Sequence, residues 1–142
     1  MIEDLPNDIE ITDFNGHRVV VIDDDERVRV SMHSLMENWG CHCISGESSD
    51  DVIKQLKNTE IDLLLVDYRL REGKTGRDAI EAIRTHTGNH IPAIIITGDT
   101  ASNRISEAQS SDALLLHKPA STSQLRRIMA SMLSDLDYAS LE

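Results

Sequence analysis

The sequence is poor in aromatics, with one Trp, two Tyr and one Phe in 142 residues, so a core built from it is mainly aliphatic. Cysteine is equally scarce: Cys41 and Cys43 are the only two. They stand two apart in a strand-like stretch, where same-face positions lie roughly 7 Å from each other, near the limit for a disulfide. Reduced thiols in a reducing cytosol are the economical expectation. A metal site on Cys41-His42-Cys43 needs ligands from elsewhere, and the sequence offers no obvious ones. Positive charge is in deficit. Lys plus Arg number 14 and Asp plus Glu 25, a formal net charge of −11. That balance argues against nucleic acid or an anionic membrane as a partner, because both need a positive surface. Long apolar runs are missing as well. Ile61–Val66 and Ile91–Ile96 are far too short to span a bilayer. The N-terminus, MIEDLPNDIE, is acidic and has no apolar run of the kind a secretory signal needs. The length fits one domain with a sizeable core.

What is present is an alternation. Val19–Ile22 is a β-branched apolar run, as in a strand buried on both faces. A helical spacing of Val28, Met32, Leu35, Met36 and Trp39 follows, closed by Gly40. Cys41–Ser45 is a weaker strand, and Ser48–Asn58 a helix with Ser48 or Ser49 as its N-cap. The cycle repeats with strand Ile61–Val66, a polar loop to Gly76 and a helix burying Ala79, Ile80 and Ile83. Next come strand Ala93–Thr97, a short helix over 101–109, and strand Ala113–Leu116. Ser121 or Ser123 caps a last helix carrying Leu125, Ile128, Met129 and Met132 on one face. Five strands alternating with five helices imply an α/β fold, a parallel sheet covered on both sides.

In such a sheet the carboxyl ends of all strands share one edge, and ligands bind there. Strand 1 is followed by Asp23-Asp24-Asp25, strand 3 by Asp67 and strand 5 by His117-Lys118, while strand 4 ends at Thr97-Gly98. Each residue alone has an ordinary explanation: an Asp after a strand is often a helix N-cap. Together they are harder to dismiss. Crowded acids raise one another's pKa unless a cation intervenes, and oxygen ligands in a small polar pocket suit Mg²⁺. A hydroxyl and an ammonium beside that ion can neutralise the equatorial oxygens of a moving phosphoryl group. A carboxylate can itself be the nucleophile and become an acyl phosphate.

These residues carry a resemblance. VVVIDDD at 19–25, LLLVDYRL at 63–70, IIITGDT at 94–100 and LLLHKP at 114–119 resemble the receiver (response-regulator) domain of two-component signalling. The resemblance spans residues 18–134, leaving 1–17 as a linker or N-terminal arm and 135–142 as a C-terminal tail. It implies a flavodoxin-like doubly wound sheet, strand order 2-1-3-4-5, with five surrounding helices. It implies Asp67 as phospho-acceptor and Mg²⁺ held by Asp24 directly, by Asp23 mainly through a water, by Asp67, and by the backbone carbonyl of Arg69. Thr97 hydrogen-bonds the phosphoryl group, Lys118 pairs with it, Gly98 keeps the approach open, and Lys118-Pro119 is a cis peptide. The donor is a histidine kinase or histidine phosphotransfer domain. The only reaction catalysed is the module's own phosphorylation and dephosphorylation, in the cytoplasm.

The loop YRLREGKTG, with ITGDT and LLHKP, is similar to receivers of hybrid histidine kinases; a stand-alone single-domain regulator is the other form. Two departures bear on readout. Leu115 stands where the family often has an aromatic switch residue, so signalling relies on Thr97 and loop movement. Arg71 stands where a Pro is common. Arg69, Arg71, Lys74 and Arg77 place positive charge near the pocket rim. A phosphorylation signal is expected to repack the helix over 101–109, the fifth strand and the last helix. Ile105, Leu114, Leu116 and Arg126 are the candidate surface residues there, and that face could also serve a homodimer. Two other readings stay open: a haloacid-dehalogenase-type phosphohydrolase with Asp23 as nucleophile, and a receiver that only binds a partner.

Overall fold

The apolar runs pair with one another, because a strand buried on both faces has no other way to satisfy its backbone polar groups. The structure is a computed structural model that describes residues 16–98, 113–118 and 121–141. Its elements, in chain order, are β1 (Arg18–Ile22), α1 (Glu26–Asn38), β2 (His42–Gly46), α2 (Ser49–Gln55), β3 (Leu63–Asp67), α3 (Gly76–Thr87), β4 (Ala93–Thr97), β5 (Leu114–His117) and α4 (Thr122–Leu141). The strands form one sheet in the order β2-β1-β3-β4-β5, every pairing parallel. This is the expected doubly wound topology. Four α-helices lie among the described residues. The fifth expected helix, over 101–109, lies outside them, as do Ile105, Pro119 and residues 1–15 of the expected arm.

The sheet separates two cores. Val19, Val21, Leu63, Leu65, Ile94 and Leu116 point to one side, where Met36 and Trp39 at α1 and Leu125, Met129 and Leu133 of α4 cover them. Val20, Ile22, Leu64, Val66 and Ile95 point to the other, beneath Val52 of α2 and Ala79, Ile80 and Ile83 of α3. The period-2 alternation of a strand assigns neighbouring residues to opposite faces, so unbroken apolar runs feed both cores. The edge strand β2 is mostly half-buried.

The helix starts follow their side chains. Asp25, Ser48 and Thr75 cap α1, α2 and α3 by accepting from the backbone N–H of Arg27, Asp51 and Asp78. Thr75 and Asp78 complete a reciprocal capping box. Ser121 accepts from Gln124 N–H at 3.1 Å and so caps α4.

Other boundaries move. β2 ends one residue later than expected, at Gly46, and β3 and β5 end one residue beyond their apolar runs because ladder pairing continues past burial: Asp67 pairs with Ile96 and His117 with Thr97. α2 stops at Gln55 rather than Asn58. Leu56 is already extended and Asn58 is left-handed, with φ 63°. α4 reaches Leu141, so residues 135–141 of the stretch read as a tail are helical. No helix among the described residues is long and apolar enough to cross a membrane.

Cys41 is buried, Cys43 half-buried, and both are free thiols. Burial, the largest cause, pushes them up to about 11 and about 12. They contribute apolar volume to the α1/α4 side of the sheet.

Candidate functional site

The register brings the chemistry together. Ile22 is level with Val66 across the β1–β3 pair, so Asp23 and Asp67, each one residue further on, leave adjacent strands side by side. Asp23, Asp24 and Asp67 each present a carboxylate oxygen within 4.8 Å of the others. Lys118 arrives from β5. Its N–H donates to the Thr97 carbonyl at 2.7 Å, extending the β4–β5 ladder, and its Nζ lies 2.8 Å from Asp67 Oδ1. Thr97 closes β4 and is buried. A Cβ on Gly98 would sit 3.9 Å from Lys118 Cδ, so a small residue there leaves the lysine stem unobstructed. Asp67, Asp23, Asp24, Thr97 and Lys118, the five residues expected from the sequence, thus stand at one edge of the sheet, where the three carboxylates and the Lys118 ammonium meet.

The electrostatics are those of a crowded, partly dry site. An apolar cavity of about 180 Å³, lined in part by Met32, Leu35, Leu65, Ile96 and Leu125, reaches Asp23, Asp67 and Lys118. Burial accordingly raises the Asp67 carboxyl above its ordinary value; the Lys118 hydrogen bond and charge oppose the rise, and Asp24 adds to it. Burial likewise raises Asp23, against the hydrogen bond from the Asp25 N–H, with Asp67 and Asp24 adding repulsion. For Lys118 burial alone acts downward, but the hydrogen bond to Asp67 and the charges of all three acids outweigh it and raise the ammonium.

At 4.8 Å, the outer limit for these oxygens, two carboxylates repel by about 1 kcal/mol at bulk dielectric and about 3 kcal/mol at an effective dielectric near 20. Three carboxylates against one ammonium leave two negative charges, the charge a divalent cation cancels. Three hard oxygen donors in a site open enough to retain waters fit Mg²⁺.

Two features of the site carried no plain sequence signal. The segment after Asp67 folds back as a short hairpin. Arg69 bridges Thr75, Leu70 N–H donates to Lys74 O at 2.9 Å, and Gly76 N–H donates to Tyr68 O at 2.7 Å. Glu72 (φ 63°) and Gly73 (φ 74°) make the reversal. Arg69, expected to lend a carbonyl to the metal, is therefore held in this hairpin two residues past Asp67. Gly76, which opens α3, is packed so closely that a Cβ would stand 2.7 Å from the Asp67 carbonyl oxygen and 3.2 Å from Val66 Cγ1. The second feature is Arg29 of α1, whose Nη1 donates to the Asp23 carbonyl at 2.8 Å.

Residues 19–130 match the family model described as response regulator receiver domain. Among curated proteins the chain is similar to Ethylene receptor 2 of Oryza sativa subsp. japonica, 31% identical over 129 residues, covering 86% of this chain and 16% of that protein. The chain thus spans about a sixth of that relative's length. Among solved structures it resembles a CheY-like response regulator receiver domain protein from Methanospirillum hungatei JF-1. The TM-score is 0.74 at 19% identity, with 88% of this chain and 99% of the other covered. A receiver domain protein from Clostridium thermocellum is alike to the same degree, with TM-score 0.75 at 21% identity, covering 87% and 98%. The structural likenesses concern the fold; the family match spans most of the sequence and includes the strand ends that hold Asp23, Asp24, Asp67, Thr97 and Lys118. The chain belongs to the response regulator receiver domains of two-component signalling.

Proposed function

We propose that Asp67 accepts a phosphoryl group from a phosphohistidine of a histidine kinase or histidine phosphotransfer domain, and that the charge gained there switches partner binding. The observation that carries the reading is Asp67 itself. It stands at the carboxyl end of a central strand, 2.8 Å from Lys118 Nζ and within 4.8 Å of two further carboxylates. Asp23, Asp24, Asp67 and the Arg69 carbonyl are the groups that would hold Mg²⁺. When bound, the ion supplies positive charge that lets an anionic nucleophile meet an anionic donor.

The chain's own residues do the rest. An Asp67 carboxylate oxygen attacks phosphorus, the P–N bond to the donor imidazole breaks, and the imidazole takes up a proton as it leaves. Lys118 and Thr97 take the new phosphoryl oxygens, exchanging the present Lys118–Asp67 pair for a phosphoryl contact. Water attack on phosphorus later returns Asp67 to a carboxylate. The phosphoryl group adds roughly −1.5 to −2 charge. Because Thr97 and Lys118 are joined through backbone, their movement repacks the β4–β5 edge. Leu114 there is an exposed apolar residue.

Residues 18–134 form the receiver, with 1–17 and 135–142 flanking it. A receiver carried within a longer sensor chain, such as a hybrid histidine kinase in the cytoplasm, is supported by the small share of the matched receptor that it spans. The test is incubation with Mg²⁺ and a small phosphodonor, followed by mapping of the acyl phosphate. Label on Asp67, lost in Asp67→Asn, supports the proposal. Label on Asp23 points to the phosphohydrolase, and an unlabelled, folded, Mg²⁺-loaded chain to a binding module.

A further inference from the structure

We infer that Arg29 is a positioning residue of the acidic cluster, whose guanidinium pins the peptide between Asp23 and Asp24 so that both carboxylates address one ion. The inference rests on the Mg²⁺-dependent reading of the site. The Asp23 carbonyl belongs to the peptide plane that joins the two acids. Rotating that plane changes ψ of Asp23 and φ of Asp24 together, and so swings the Asp24 side chain relative to Asp67.

Three hydrogen bonds hold Asp23. Asp23 N–H donates to Gly46 O of β2 at 3.2 Å, and Asp25 N–H donates to Asp23 Oδ1 at 2.9 Å. Arg29 Nη1 donates to Asp23 O at 2.8 Å. The first fixes where the chain leaves the sheet and the second shapes the turn from within. The third ties the peptide plane to the body of α1, which is itself fixed by Met36 and by Trp39 at its C-terminal end in the core. A charge-assisted bond to a half-buried carbonyl is the stronger kind. Groups that orient metal ligands without touching the metal typically change affinity by about 10–100-fold when removed.

The sign of the effect separates positioning from charge. A cation beside an acidic cluster repels a second cation, so by Coulomb's law alone deleting Arg29 tightens Mg²⁺ binding, and replacing it by Lys changes little. Positioning requires the opposite: loss of the guanidinium loosens the Asp23–Asp24 peptide and weakens binding even where the charge is kept. Arg27 is the internal control. It carries the same charge two residues away, its side chain is 93% exposed, and its Nε lies 3.6 Å from Asp25 Oδ1.

The experiment is calorimetric titration with Mg²⁺ of the wild type, Arg29→Met, Arg29→Lys and Arg27→Met. Thermal melts and the Asp24 amide resonance of the metal-free proteins are recorded alongside. We expect Arg29→Met and Arg29→Lys to weaken Mg²⁺ binding about tenfold and to shift the Asp24 amide. Arg27→Met is expected to bind equally or more tightly with that amide in place. Equal or tighter binding by Arg29→Met, or wild-type binding by Arg29→Lys, overturns the inference. Should Arg29→Met fail to fold, Arg29→Lys, which keeps stem and charge, still decides. A wild type that neither binds Mg²⁺ nor labels on Asp67 defeats the underlying reading instead.

Discussion

Replacing Gly76 by alanine tests how tightly the fold and the phospho-acceptor are joined. The added methyl would lie 2.7 Å from the Asp67 carbonyl oxygen, 3.2 Å from Val66 Cγ1 and 3.4 Å from the Asp67 carbonyl carbon. Two of these atoms are backbone of a central strand and the third belongs to a fully buried side chain, so none can swing aside. Overpacking of this kind costs about 1–3 kcal/mol. The better helix propensity of Ala returns at most about 1 kcal/mol, and less at the first position of α3. The net expectation is a loss of about 1–2 kcal/mol, read as a lower urea midpoint with unchanged slope.

The strain also has a direction. To relieve it α3 must retreat from β3, or the Asp67 peptide must tilt, and the second response moves the carboxylate off Lys118. Gly76→Ala should therefore lose Mg²⁺ affinity and phosphorylation rate as well as stability. Gly88→Ala provides the comparison: φ is 72° with nothing within 4 Å of a new Cβ. That variant should cost about 1 kcal/mol through backbone strain alone and leave the site intact. Wild-type stability and phosphorylation in Gly76→Ala would refute the reasoning.

Mg²⁺ should stabilise the fold, by about 2.7 kcal/mol at a hundredfold excess over its dissociation constant; Asp24→Asn should abolish most of that gain in a thermal melt. Asp23 and Asp67 have folded-state values raised above 3.8. In metal-free protein their protonation therefore adds stability as pH falls from above the raised values toward 3.8, and the contribution is lost as pH rises through them. Asp25, lowered mainly by the Arg27 backbone hydrogen bond, acts in the opposite sense. Stability from Asp25 is present above 3.8 and lost as pH falls through its lowered value. Asp67→Asn should flatten the first slope in a pH series of denaturation curves. Cys41 and Cys43, with thiols pushed up to about 11 and about 12, should resist a thiol reagent at neutral pH in the native state and react at once in denaturant; fast native labelling would contradict their burial.

Much of this architecture was legible because each residue of the site stands at the end of an apolar run. Asp67 after Leu63–Val66 and Thr97 at the close of Ala93–Thr97 needed only the rule that parallel strands share a functional edge. The ends of β1 and β4 fell at Ile22 and Thr97 as expected, while β3 and β5 ran one residue further because composition records burial and ladder pairing reaches one step into polar sequence. α2 ended early because the chain is already extended at Leu56, ahead of Asn58 at φ 63°, a conformation that Asn tolerates and need not take. The hairpin after Asp67 depends on Glu72 in the left-handed region, where the residue type gives no warning. Gly76 and Arg29 act through space on backbone carbonyls, and a carbonyl acceptor leaves no mark in the sequence.

The two sides of the sheet also differ in mechanical compliance. Met32, Met36, Met129 and Met132 all lie on or against the side covered by α1 and α4. The side under α2 and α3 is filled by Ile, Val, Leu and Ala with Tyr68. Unbranched thioethers adopt many rotamers of similar energy, whereas β-branched chains are held to few. The sheet therefore divides a yielding half from a stiff one. A packing change at the sheet edge thus meets less resistance among the methionines than among the branched side chains opposite.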